Sequence, residues 1–270
     1  MDAFYLRAAI GQRFCIHHPP LGAVQGAVVQ VHAFAEEMNK SRRMSAMQSR
    51  ALAQAGFAVI QIDLHGCGDS SHDLADASWS AWLADVVLAA QWLLQRHPGA
   101  PLWLWGHRAG ALLAAQAARS LDTVVNFLFW QAAASGKTLL QQFLRLRLAG
   151  EMSGNAPGPL MEGLRQQLAA GTPIDVAGYS LPPAIATGLE DARLVPPERP
   201  SRLVWLEVSA RESPGLLPAS AQVLAEWQGA GFTVDARVAN GPAFWQTTEI
   251  EDAPALIAAT VSALAQGAGA

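Results

Sequence analysis

Cysteine is scarce in this chain: Cys15 and Cys67 are the only two, and they fit neither a disulfide framework nor any common metal spacing. Free thiols suit a reducing compartment, so a cytoplasmic location is expected. Charge is scarce as well. Only 15% of residues are charged, and 18 Lys and Arg against 22 Asp and Glu leave a formal charge of -4, which argues against a protein whose main work is gripping nucleic acid. No stretch approaches the roughly 18 uninterrupted apolar residues of a membrane span. The start Met1-Asp2-Ala3-Phe4-Tyr5 lacks a basic segment followed by an apolar one, so no signal peptide is expected. Lysine occurs only at Lys40 and Lys137, a bias that reflects genome composition rather than chemistry. Histidine stops early: all seven lie at or before His107.

What is abundant is apolar sequence. Half of the 270 residues are hydrophobic, enough for one domain, 1-270, with a single large core. Short apolar runs alternate with longer stretches of helical period, the pattern of a mostly parallel central sheet flanked by helices. Strands are expected at 27–31, 57–62, 102–105, 126–130, 203–208 and 234–238. Helices are expected at 44–55, 80–95, 109–119, 219–227 and 253–265, and one or two antiparallel edge strands before Gly26. The alternation breaks over 136-200, where helical pieces around 139–148 and 160–169 precede a Pro- and Gly-rich stretch. Leaving from the end of a central strand, this insertion is expected to be a helical cap over a cleft.

One segment carries a recognisable turn. Trp103-Leu104-Trp105-Gly106-His107-Arg108-Ala109-Gly110 reads as a strand, a sharp turn and the start of an Ala-rich helix. Its two glycines have the spacing of the nucleophile elbow of α/β-hydrolases. The side chain at the nucleophile's place is Arg108, which keeps its proton at any working pH and cannot attack a carbonyl.

The whole chain resembles the α/β-hydrolase superfamily and, more narrowly, the group called exosortase A system-associated hydrolase 2. The segment from Val31-His32-Ala33-Phe34-Ala35-Glu36-Glu37 to Arg43 looks like that group's loop after the third strand. Ile62-Asp63-Leu64-His65-Gly66-Cys67-Gly68-Asp69-Ser70 is similar to the superfamily's D-x-x-G-x-G-x-S turn, and Phe244-Trp245-Gln246-Thr247-Thr248-Glu249-Ile250-Glu251 resembles the group's late motif. The resemblance implies an α/β-hydrolase fold and exopolysaccharide gene neighbourhoods whose machinery also sorts proteins, but no known substrate. In such hydrolases the order is nucleophile, acid, histidine. Here no histidine follows Arg108, and Phe244 and Trp245 stand where one would be expected. Glu207 or Glu212 could hold the acid position, yet neither has a histidine to orient. Ser70 and Ser135 carry no signal of activation and read as turn residues.

Arg108 would sit at a helix N-terminus, where backbone N–H groups already favour negative charge. The loops after the third and sixth strands open on the same side in this fold. The expected anion-binding set is therefore Arg108 and His107 with His32, Lys40, Arg42, Arg43 and Lys137, and Phe34, Phe244 and Trp245 are expected to line the cleft. Two outcomes stay open: a bidentate grip on a carboxylate or phosphate ligand, or an internal ion pair of Arg108 with Glu36, Glu37 or Asp63. His32, His65 and His107, at the ends of three neighbouring strands, invite a metal, but ordinary structural imidazoles account for them, so no metal and no cofactor is expected. Trp103, Trp105, Phe127, Phe129 and Trp130 read as core rather than a sugar platform. The reading is a hydrolase-like protein binding an anionic or acyl-bearing small molecule, or a partner from exopolysaccharide or protein-sorting machinery. Its alternative is an active esterase, thioesterase or peptidase-like hydrolase with a rearranged site, and a cap surface that recruits another protein is a third.

Overall fold

Strand β3 (Gly26–Val31) is buried at every position, and so is β5 (Leu102–His107), which explains why both read as unbroken apolar runs: each has helices over both faces. Alternate residues divide between two cores. Val29, Val31 and Leu104 pack under α2 (Trp79–Arg96) and α3 (Ala109–Ala117). Val28, Trp103 and Trp105 pack under α1 (Glu36–Gln54) and α8 (Pro254–Ala265). Trp103, Trp105, Phe127, Phe129 and Trp130 are all buried.

The computed structural model describes residues 1–150, 157–212 and 215–266. Its main sheet has eight strands in the order β1-β2-β4-β3-β5-β6-β9-β10. These are β1 (Asp2–Arg7), β2 (Gln12–His18), β4 (Phe57–Ile62), β6 (Val125–Trp130), β9 (Arg202–Ser209) and β10 (Thr233–Asn240) beside the two already given. β1 and β2 are antiparallel additions at one edge; β4 to β10 run parallel through β3 and β5. Strand order and direction are those of an α/β-hydrolase fold. α7 (Pro218–Gly229) buries Trp227 against Phe127 and Phe129. No helix among the described residues is long and apolar enough to cross a membrane.

Helix α1 starts at Glu36, eight residues before the expected 44, so the stretch after β3 is a four-residue loop, 32–35, followed by helix. α3 ends at Ala117, and one 3-10 turn over Ala118–Ser120 continues it. The insertion holds α4 (Gly136–Gly150), α5 (Pro157–Ala169), a two-stranded hairpin of β7 (Ile174–Val176) and β8 (Tyr179–Leu181), and α6 (Pro183–Asp191). The link between its first two helices, 151–156, lies outside the described residues. The hairpin and α6 were not expected. Ala177 and Gly178 turn the hairpin at positive φ, 50° and 84°. The insertion's two roots are tied together: Ser135 bridges Arg193, Gly136 N–H donates to the Ala192 carbonyl at 3.0 Å, and Leu194 N–H donates to the Ala134 carbonyl at 3.1 Å.

Candidate functional site at the elbow

The turn between β5 and α3 is built by close approach. A Cβ on Gly106 would collide with the backbone of Ala111, and one on Gly110 with the Val31 carbonyl; only hydrogen fits between helix and strand. Between them Arg108 takes φ 55° and ψ -115°, a conformation non-glycine residues rarely adopt and that persists only where the surroundings enforce it. Its N–H donates to the Trp130 carbonyl at 3.1 Å, and its carbonyl accepts from Ala111 N–H at 3.2 Å.

The side chain makes an internal ion pair, one of the two open outcomes. Nε donates to Glu37 Oε1 at 3.0 Å, and Nη2 donates to Gln142 Oε1 of α4 at 3.2 Å. Both ion-pair side chains are nearly buried, 11% and 12% exposed. The guanidinium carbon lies 5.8 Å from the Trp245 ring centroid, within reach of a cation–π attraction. Burial raises the Glu37 carboxyl, while Arg108 pulls it back down. Burial also raises Glu36, whose buried Oε2 has no hydrogen-bond partner.

Above this pair is a cavity of about 380 Å³, walled by Phe34, Leu139, Phe143, Leu146 and Trp245, with Glu36, Glu37, Lys40 and Gln142 at its polar side. The cap reaches it directly. Phe143 of α4 packs edge-on against Phe34 at 4.9 Å, and Asn39 Nδ2 donates to Tyr179 Oη at 2.7 Å.

The expected cluster of cations does not assemble around Arg108. Arg42 pairs with Asp63 at 3.1 Å, which also removes Asp63 as a partner for Arg108. Arg43 makes a two-pronged pair with Asp252, 2.8 Å on each arm, beside α8. Lys137 is exposed at the start of α4 and does not line the cavity. Lys40 does line it, its Nζ 3.5 Å from the Gln246 carbonyl. The reason is geometric: once α1 begins at Glu36, positions 40, 42 and 43 fan out around a helix instead of sharing a loop.

The histidines are structural here. His32 Nδ1 donates to the Ala33 carbonyl at 2.7 Å, and Nε2 accepts from Leu64 N–H at 3.4 Å; both nitrogens are used, and burial holds the imidazole below its usual pKa. His107 is buried, its nitrogens have no partner among the described residues, and burial and the neighbouring Arg108 push its pKa down to about 3. His32 spends both ring nitrogens within the fold, and neither histidine lines the cavity, which corrects both as ligands of an anion there. Phe244 stacks on His107 at 5.4 Å, and Trp245 meets it edge-on at 5.6 Å. Both aromatics therefore lie beside the elbow; Trp245 faces the cavity and Phe244 is fully buried.

Glu207 is occupied by Trp205 Nε1 and Leu217 N–H, each at 3.0 Å, and Glu212 is exposed. Ser70 is locked in its turn, donating to the Asp63 carbonyl at 2.5 Å and accepting from Phe14 N–H at 2.9 Å. Among the described residues no group of three His, Cys, Asp or Glu could hold a metal ion. Sequence reasoning missed Leu139, Gln142, Phe143 and Leu146 as cavity residues, because only the docking of the cap brings them there.

The family model described as serine aminopeptidase, S33 matches residues 22–163, a span that includes the elbow and the first cap helix. Protein ABHD12B of Homo sapiens is 28% identical over 114 residues, which cover 42% of this chain and 30% of that protein; the chain thus spans under a third of that relative. Among solved structures, Est1E from Butyrivibrio proteoclasticus superposes with a TM-score of 0.64 at 13% identity, covering 98% of this chain and 97% of that one. A soluble variant of monoglyceride lipase from Saccharomyces cerevisiae gives 0.63 at 12% identity over 99% and 94%. With just over half its length matched by the family model and the sheet order described above, the chain belongs to the serine aminopeptidase, S33 family of α/β-hydrolases.

Proposed function

We propose that this protein binds an acyl-bearing small molecule in the elbow cleft and does not hydrolyse it by serine and histidine chemistry. The observation that carries this reading is the Arg108–Glu37 pair: the residue in the nucleophile's place is a guanidinium already neutralised by the protein. Its charge is spent, so the anionic ligand entertained from sequence loses its main attraction, and the apolar walls favour an aliphatic chain instead. A cleft of 380 Å³ falls in the size range of small-molecule sites, roughly 300–1,000 Å³. Trp245, backed by the buried Phe244, puts an apolar ring at the cleft wall without offering a proton acceptor. The resemblance to exosortase A system-associated hydrolase 2 supports placing that ligand in exopolysaccharide or protein-sorting physiology.

The test is 4-nitrophenyl decanoate offered to the pure protein. Saturable binding is expected, with release of 4-nitrophenol no faster than without protein. Phe143→Ala, which removes one wall, should weaken binding about tenfold, in line with roughly 1.5–3 kcal/mol for a buried large apolar side chain. Turnover that a cleft substitution abolishes would establish the rearranged-site hydrolase instead.

A further inference from the structure

A second cavity, about 540 Å³, shares no lining residue with the elbow cleft. It lies between the turn joining β1 to β2 and the outer side of α2. Two polar groups at its base are held rigidly and left incompletely satisfied. Arg13, 2% exposed, sets Nε 2.7 Å from Asp85 Oδ1, and its Nη1 donates to the carbonyls of Ile10 and Gln12 at 2.8 and 3.3 Å. Nε, close as it is to Asp85, is the buried Arg13 nitrogen without a hydrogen-bond partner among the described residues. His65, 5% exposed, is pinned through its backbone: its N–H donates to Asp85 Oδ2 at 2.8 Å, and its carbonyl accepts from Trp82 Nε1 at 2.9 Å. Neither ring nitrogen has a partner among the described residues. Burial, then the Arg13 charge, lowers its pKa, so near neutral pH the ring is uncharged and offers one N–H donor.

The charged residues lining this cavity are Arg7, Arg13 and Asp85, one positive charge in excess with His65 neutral. Arg7 is exposed at the rim. The wall opposite is aliphatic: Leu83, Val87 and Leu88 of α2, faced by Ile10. A buried ion pair that leaves a guanidinium N–H unused, next to an imidazole with no partner, is costly unless something polar completes it.

We propose that this groove is a binding site for a small organic acid with an aliphatic chain, its carboxylate received by Arg13, His65 and Arg7 and its chain laid along α2. The carboxylate supplies acceptors to the unused donors and balances the excess charge. Fixing the His65 backbone on both sides holds the donor in place before the ligand arrives.

The experiment titrates the full chain with octanoate, octylamine and octanamide at pH 7, following the His65 imidazole signals by NMR. Octanoate is expected to shift those signals saturably, with octylamine and octanamide at least tenfold weaker. Arg7→Glu, at an exposed position that leaves the core intact, should weaken octanoate at least tenfold. Phe143→Ala, in the other cleft, should leave the octanoate titration at His65 unchanged. Equal binding of octanoate and octylamine, indifference to Arg7→Glu, a titration that follows Phe143→Ala, or no shift at millimolar octanoate would each overturn the proposal.

Discussion

Arg108 and Glu37 face each other at 3.0 Å across the mouth of the elbow, so the residue that replaces the nucleophile is bonded to the helix that follows β3. Breaking one side leaves the other charge largely buried and unpaired. Arg108→Ala and Glu37→Gln should each cost about 2 kcal/mol, below the 3–5 kcal/mol of fully buried pairs because these side chains keep some solvent contact. The double variant should cost clearly less than the sum, as urea denaturation of all four proteins would read out.

Arg108→Gly removes the same ion pair but also the cost of a side chain at φ 55°. Such strain is worth about 1–3 kcal/mol, so Arg108→Gly should be about 1 kcal/mol more stable than Arg108→Ala. Equal midpoints for the two would show that the turn is relaxed.

Restoring a hydroxyl should not restore chemistry. Arg108→Ser places an alcohol at the elbow, but the nearest imidazole in sequence, His107, is stacked beneath Phe244 with its pKa down at about 3, and no later histidine exists. Without a base the alcohol stays protonated and weakly nucleophilic. Hydrolysis of 4-nitrophenyl acetate by Arg108→Ser is expected to stay at the wild-type level; a hundredfold rise would reveal a base elsewhere.

Acid should destabilise the protein through the same histidine. Its pKa is 6.5 when free and about 3 when folded, so between those values the unfolded chain binds the additional proton. Stability is then fully present above pH 6.5 and is lost as pH falls toward 3, at up to about 1.4 kcal/mol per unit. Glu37, raised by burial, acts with the opposite sign: its contribution declines as pH rises through its folded pKa. Denaturation curves from pH 4 to 7 should flatten in His107→Phe, and His17, lowered to about 4 by burial, should keep part of the slope.

Gly110→Ala should be severe. The new methyl would meet the Val31 carbonyl with no flexible side chain to yield, and a loss of more than about 3 kcal/mol, or failure to fold, is expected from overpacking backbone against backbone. A soluble variant with an unchanged melting temperature would show that α3 can lift off the end of β3.

The central strands were legible in sequence because both of their faces are buried, so β3 and β5 could not avoid continuous apolar runs. The first half of α1 was not. Its buried face is Met38, Ser41, Met44, Ser45, Gln48, Ser49 and Leu52, and small polar residues at core positions blur the helical period until Met44. The elbow was legible from Gly106 and Gly110, since a close approach permits little else. Glu37 was one of three acids left open as partners of Arg108, and only the start of α1 at Glu36 decides among them. Gln142 and Phe143 could not be assigned to the cleft in advance, because α4 reaches it through tertiary docking. The hairpin was not legible either, since Ala177 turns at a positive φ that alanine rarely adopts and Ala-Gly is not one of the usual hairpin-turn pairs.

The bridge between Ser135 and Arg193 makes the inserted segment a cassette whose two ends already touch. A chain that departs and returns at one point can be shortened, lengthened or exchanged without moving the strands on either side, since the sheet sees only the bridged pair. The wall contributed by α4 is therefore exchangeable as one unit, and the bond from Arg108 to Gln142 is the contact that any exchange must rebuild. Homologous scaffolds could be recombined at this junction, carrying a new ceiling onto the same floor.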